Sequence, residues 1–98
     1  MQLTSKQRAY LISLGQTLDP VVQVGKAGVS PETVVTAEEA FHNRELLKGT
    51  VLKTAPDDPA VSADKLAART HSEIVKVIGR KFLLYKPFKE DPKIVLPR

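Results

Sequence analysis

Residues 21–32 pass from strand to helix through one short glycine loop. Val21-Val22-Gln23-Val24 has the β-branched content of a strand. It runs straight into Gly25-Lys26-Ala27-Gly28. After Val29, Ser30-Pro31-Glu32 offer an N-cap serine, a proline at the first helical position and an acid in the first turn. Val34, Ala37, Ala40 and Phe41 recur at helical spacing, which predicts a helix from Pro31 to His42. A strand feeding a helix in this way is half of a crossover unit. It commits the chain to a sheet with parallel neighbours and a right-handed connection.

The remaining segments extend that unit. Thr4 with Gln7 three residues later has the capping-box pattern, and a helix is predicted over Ser5 to Leu14 with Gly15 as its stop. Asp19-Pro20 marks a turn or an extended entry to the first strand. Asn43-Arg44-Glu45 links to a second strand, Leu46 to Thr54, in which Gly49 is expected to weaken the pairing or mark a bulge. After a loop over Ala55 to Pro59, a third helix starts either at Asp58-Pro59 or later, at Ser62-Ala63-Asp64, and ends near His71. Glu73 to Ile78 is the third strand, Gly79-Arg80-Lys81 a turn, and Phe82 to Lys86 the fourth strand, closing a hairpin. The order is α-β-α-β-α-β-β. It predicts one α/β domain with a four-stranded mixed sheet and the two crossover helices on one face. The face taken by the first helix stays open, as does the fate of the basic tail after Pro87, which has Ile94, Val95 and Leu96 for docking.

Composition sets limits on function. The 98 residues suit a single domain over 1–98, with one modest core and no room for a large active-site cavity, so no small-molecule substrate is expected. There is no cysteine, which excludes disulfides, thiolate metal sites and cysteine catalysis and fits the cytoplasm. Residues 1–14 lack a long apolar stretch, so no secretory signal is expected there, and no run approaches the roughly 20 apolar residues of a membrane span. The net charge of +4 is uneven: residues 76–98 carry +5 and the remainder −1. Such a balance points to a polyanion or an acidic protein as partner.

The glycine loop is where chemistry could reside. Glycines let backbone approach a ligand, a helix N-terminus favours phosphate, and Lys26 adds a mobile charge. Glycines at this spacing are also simply what a tight turn needs. The P-loop string and the three-glycine dinucleotide fingerprint are both absent. If the first three strands are parallel, their C-terminal ends share one edge, which carries Lys26, Lys53, Arg80 and Lys81. Ligands of open α/β sheets sit at that edge. His42 and His71 fall on different helices, and Asp57-Asp58 reads as loop and cap. No catalytic constellation is formed, so no enzyme activity, metal or cofactor is expected.

At this point a family likeness can be stated. Leu3-Thr4-Ser5-Lys6-Gln7-Arg8, then Pro20-Val21-Val22-Gln23-Val24-Gly25-Lys26-Ala27-Gly28-Val29-Ser30, then Arg44-Glu45-Leu46-Leu47-Lys48, then Val75 to Pro87 and the closing Ile94-Val95-Leu96-Pro97 together resemble a CRM domain (chloroplast RNA splicing and ribosome maturation) of the free-standing bacterial YhbY type. The resemblance implies a fold similar to the C-terminal domain of bacterial translation initiation factor three. It also implies a monomer that binds RNA, specifically ribosomal RNA in precursors of the large subunit, and assists ribosome assembly. The family's RNA-binding loop falls on Gly25, Lys26, Ala27 and Gly28, and its basic surface on Lys6, Arg8, Arg44 and Lys48. Two positions depart from the family pattern: Gly49, where a β-branched residue usually continues the strand, and His71, where a glycine usually ends the third helix. The alternative reading is a module that meets an acidic protein through its basic surface.

Overall fold

The computed structural model describes residues 2–98. Thr4 opens α1 (Ser5–Gly15) with a reciprocal cap: its hydroxyl accepts the Gln7 N–H at 3.1 Å, and the Gln7 side-chain oxygen accepts the Thr4 N–H at 3.0 Å. Ser30 and Thr33 repeat the device at α2 (Pro31–Asn43). At α3 (Pro59–Thr70) the Asp58 carboxylate accepts the Val61 N–H at 2.9 Å. The earlier of the two predicted starts is therefore the real one. All three helices end within a residue of their predicted stops.

The strands are β1 (Val22–Val24), β2 (Leu46–Val51), β3 (Glu73–Ile78) and β4 (Lys81–Tyr85), in the spatial order β1-β2-β4-β3. β1 and β2 are parallel, and β4 is antiparallel to both β2 and β3. The mixed four-stranded sheet and its element order agree with the sequence reading. β2 stops three residues earlier than expected because its last carbonyls turn away: those of Val51 and Leu52 accept from the Arg80 guanidinium, and the Leu52 carbonyl also closes a turn to Ala55.

Alternation along the strands divides the core into two. Val22, Val24, Leu47, Val51, Phe82 and Leu84 face α2 and α3, where they meet Ala37, Phe41, Ala63 and Leu66. Leu46, Val75, Leu83 and Tyr85 face the other way, against Leu3 and Leu11 of the α1 segment. The first helix thus lies opposite the two crossover helices, and the sheet is sandwiched between helical layers.

Gly49 neither bulges nor interrupts β2. It sits in regular register opposite Phe82, and a Cβ built on it would stand 2.1 Å from Phe82 Cζ. The ring lies over the glycine, filling the space a side chain would occupy. The irregularity falls instead in β3, where the register slips between Ile74 and Lys76. The extra residue turns buried Val75 toward α1.

The tail folds back. Buried Glu45 accepts backbone N–H bonds from Phe88, Lys93 and Ile94, each at 2.7 Å. Ile94 and Leu96 pack beneath α1, and the Pro97 carbonyl accepts from Gln7 Nε2 at 3.1 Å.

Candidate nucleic-acid interface

Val24 delivers the chain to a tight turn. The Gly28 N–H donates to the Gly25 carbonyl at 2.9 Å, so Lys26 and Ala27 form an exposed tip. Gly28 has φ +72°, a conformation side chains rarely adopt, and a Cβ there would also come within 3.0 Å of Pro56. Its carbonyl accepts from Ser30 N–H and from the Thr33 hydroxyl, which fastens the turn to α2.

The α2 N-terminus offers less than the sequence promised. The Thr33 N–H is held by Ser30, Pro31 has no N–H, and the Val34 N–H is held by the Ser30 carbonyl. Glu32 places a carboxylate beside what remains. Anion affinity here has to come from Lys26 and from neutral donors. Beside the loop, a groove of about 460 Å³ is lined by Gln23, Ser30, Thr33 and Thr36 and by Lys26 and Glu32. Hydroxyls, amides and a lysine are the groups that position a nucleic-acid backbone.

Because β1, β2 and β3 run the same way, their C-terminal ends form one edge with the start of β4. Lys26, Lys53 and Lys81 stand exposed along it. Arg80 shares the edge but is half-buried: its Nε donates to the Val51 carbonyl at 2.7 Å and its Nη2 to the Leu52 carbonyl at 2.8 Å. Among the described residues the one ion pair is Lys65 with Asp57, so no carboxylate pairs with a cation of this edge.

The other predicted cations do not gather there. The Arg8 guanidinium donates to the Ile74 and Val75 carbonyls, where the β3 register slips. Lys48 Nζ donates to the Gly15 and Leu18 carbonyls and closes the end of α1. Lys6 is exposed near the start of α1, and Arg44 is exposed just before β2 begins, toward the opposite edge of the sheet. One basic residue absent from the sequence reading joins the loop. Arg69, in the last turn of α3, donates to the Val29 carbonyl. Its position is what helix–dipole complementarity alone would give, and only the packing of α3 beside α2 brings it there.

The Tyr85 phenol has a raised pKa. Burial, then the nearby Glu45 charge, push its phenol up. It lies under α1 and away from the loop. Among the described residues, no three His, Cys, Asp or Glu side chains come together as a metal site would need, and no helix is long and apolar enough to cross a membrane.

Known proteins share both the sequence and the fold. The model of the CRS1 / YhbY (CRM) domain matches residues 3–86. The chain is 39% identical over 95 residues to the Probable RNA-binding protein YqeI of Bacillus subtilis, covering 97% of this chain and 99% of that one. It is 31% identical over 96 residues to a Haemophilus influenzae protein named RNA-binding protein, covering 98% and 96%. The solution structure of the Staphylococcus aureus protein SAV1595 superposes with a TM-score of 0.82 at 40% identity, covering 98% of this chain and all of that one.

Proposed function

The chain belongs to the CRS1 / YhbY (CRM) domain family, and from that premise we propose that it binds RNA through the Gly25–Gly28 turn and the lysine edge beside it. The observation that carries this reading is the exposed run of Lys26, Lys53 and Lys81 along one edge of the sheet, unpaired by any carboxylate. The groove next to Lys26, with Ser30, Thr33 and Thr36 in its lining, supports it, as do the names of the relatives. The RNA is ribosomal RNA in precursors of the large subunit, and the role is assistance in assembly by a cytoplasmic monomer. Binding, not catalysis, is the activity. Phosphate and shape dominate recognition, because three of the five aromatic side chains, Phe41, Phe82 and Tyr85, are committed to the core.

Co-sedimentation from lysate over a salt series tests this. Wild type should travel with large-subunit precursors, and Lys26→Glu should not. Lys26→Gln should reduce the salt slope of RNA binding by about one, the share of a single phosphate contact. Equal association of wild type and Lys26→Glu would refute the assignment of the loop.

A further inference from the structure

A second groove lies on the other face of the sheet, where α1 ends. The register aligns Gln23, Thr50, Lys81 and Ile78 in one row across all four strands, on the face that α1 only partly covers. The last turn of α1 rests directly on this sheet. A Cβ on Gly15 would meet Leu83 Cδ1 at 2.7 Å. Just past it opens a groove of about 190 Å³. Ile12, Gly15 and Leu83 make its floor, and Ile78, 57% exposed, borders it from β3.

The rim is cationic. Lys76 and Lys81 border the groove and are exposed, and their ammonium groups have no ion pair among the described residues. The third lysine, Lys48, is engaged with the Gly15 and Leu18 carbonyls. No carboxylate lines the groove. An apolar floor under two free ammonium groups is the complement of a flat apolar group joined to an anion. The volume is below the roughly 300 Å³ at which pockets begin to take drug-sized ligands, so it suits one ring system.

We propose that this groove receives a single unpaired nucleotide of the bound RNA, its base on the apolar floor and its phosphate against Lys76 and Lys81. The inference rests on the RNA-binding reading above and adds a site distinct from the glycine turn. Geometry favours a nucleotide because the two sites share an edge: the row from β1 to β3 spans three strand spacings, roughly 14 Å. A backbone following Lys26 and Lys53 is thereby led to Lys81. Bases stacked inside a duplex cannot reach an apolar floor, so only a bulged or single-stranded nucleotide enters.

The test uses the full chain and two RNA hairpins with the same stem, one carrying a single unpaired adenosine. Fluorescence anisotropy should show wild type preferring the bulged hairpin by roughly tenfold, the range of one base contact. Ile78→Ser, checked by a thermal melt to be folded at the assay temperature, should abolish the preference and leave affinity for the plain hairpin intact. Lys81→Gln should reduce the preference. Lys26→Glu should weaken both hairpins alike and keep the preference. No preference in wild type, or a preference that survives Ile78→Ser, would overturn the proposal. So would an acidic peptide of alternating glutamate and leucine that displaces the bulged hairpin, which would make the groove a protein-docking site. Failure to bind even the plain hairpin would instead bring down the RNA reading itself, and this inference with it.

Discussion

Glu45 holds Ile94 across 49 residues of sequence: its Oε1 accepts the Ile94 N–H at 2.7 Å and, at the same length, the N–H of the preceding Lys93. Its Oε2 takes the Phe88 N–H. One buried carboxylate therefore anchors the whole tail. Hydrogen bonds to an ionised group are worth more than neutral ones, and truncation removes three of them at once. Glu45→Ala should lower stability by about 2–3 kcal/mol, with Glu45→Gln intermediate. Amide exchange should quicken first at residues 88–96. Unchanged protection there in Glu45→Ala would show that Ile94 and Leu96 hold the tail by packing alone.

Gly49 and Phe82 make a matched pair. Gly49→Ala puts a methyl group where the ring lies and should cost about 1–3 kcal/mol or more, the usual range for overpacking. Phe82→Leu alone should also destabilise, by leaving a cavity. Combined, the two changes should cost less than their sum. A denaturant double-mutant cycle with a coupling near zero would contradict the contact.

The raised phenol of Tyr85 fixes the sign of an alkaline effect. In the unfolded chain it ionises near the ordinary value of 10.0, while in the folded chain it keeps its proton to higher pH. The folded state then binds more protons, so stability is full below about pH 10 and falls as pH rises toward the folded value. Tyr85→Phe should flatten that decline. Spectrophotometric titration should show phenolate appearing late in the native protein, and an ordinary midpoint for this tyrosine would contradict the burial account.

His71 adopts φ 56° at the end of α3, a left-handed conformation in which most side chains are disfavoured. His71→Gly should stabilise by up to about 1 kcal/mol, raising the melting temperature by a few degrees in a domain of this size. A lower melting temperature would mean that the imidazole makes a contribution that outweighs the strain.

Arg80 and Lys53 should separate folding from binding. Arg80→Gln removes hydrogen bonds to two carbonyls at the end of β2 and should cost about 1–2 kcal/mol. Lys53→Gln, at an exposed position, should leave stability within about 0.5 kcal/mol and weaken RNA binding. Thermal melts beside RNA titrations distinguish the two roles.

What the sequence made legible was local. The Thr4/Gln7 pair and the Ser30-Pro31-Glu32 run act within four residues, and α1 and α2 begin where they place them, while Asp58-Pro59 is one of two starts the sequence allows for α3. What escaped was distant. The role of Gly49 depends on Phe82, 33 positions away, so propensity alone misreads it as a defect. Arg8, Lys48 and Arg80 read as free surface charge, but each finds carbonyls of a remote segment. The β3 bulge and the side of the sheet taken by α1 depend on how Val75 and Leu83 pack against Leu11, which no local pattern encodes. At the candidate site, the glycine turn and the lysine edge were visible in order and charge. Arg69 and the groove beside Leu83 were not.

The position of β4 also dictates when the molecule can exist. The last strand made is the one in the middle: it separates β2 from β3, which without it would stand about two strand spacings apart, roughly 9.6 Å, with no hydrogen bonds between them. During synthesis the first 80 residues can build helices and the β1–β2 pair, but they cannot close a sheet. Chains stalled after Gly79 should remain protease-sensitive, and resistance should appear only once Tyr85 has cleared the exit tunnel. The lysine edge is therefore assembled in a single late step, and because residues 76–98 carry +5 and the remainder −1, the net positive charge and the surface able to read RNA arrive together at the end of synthesis.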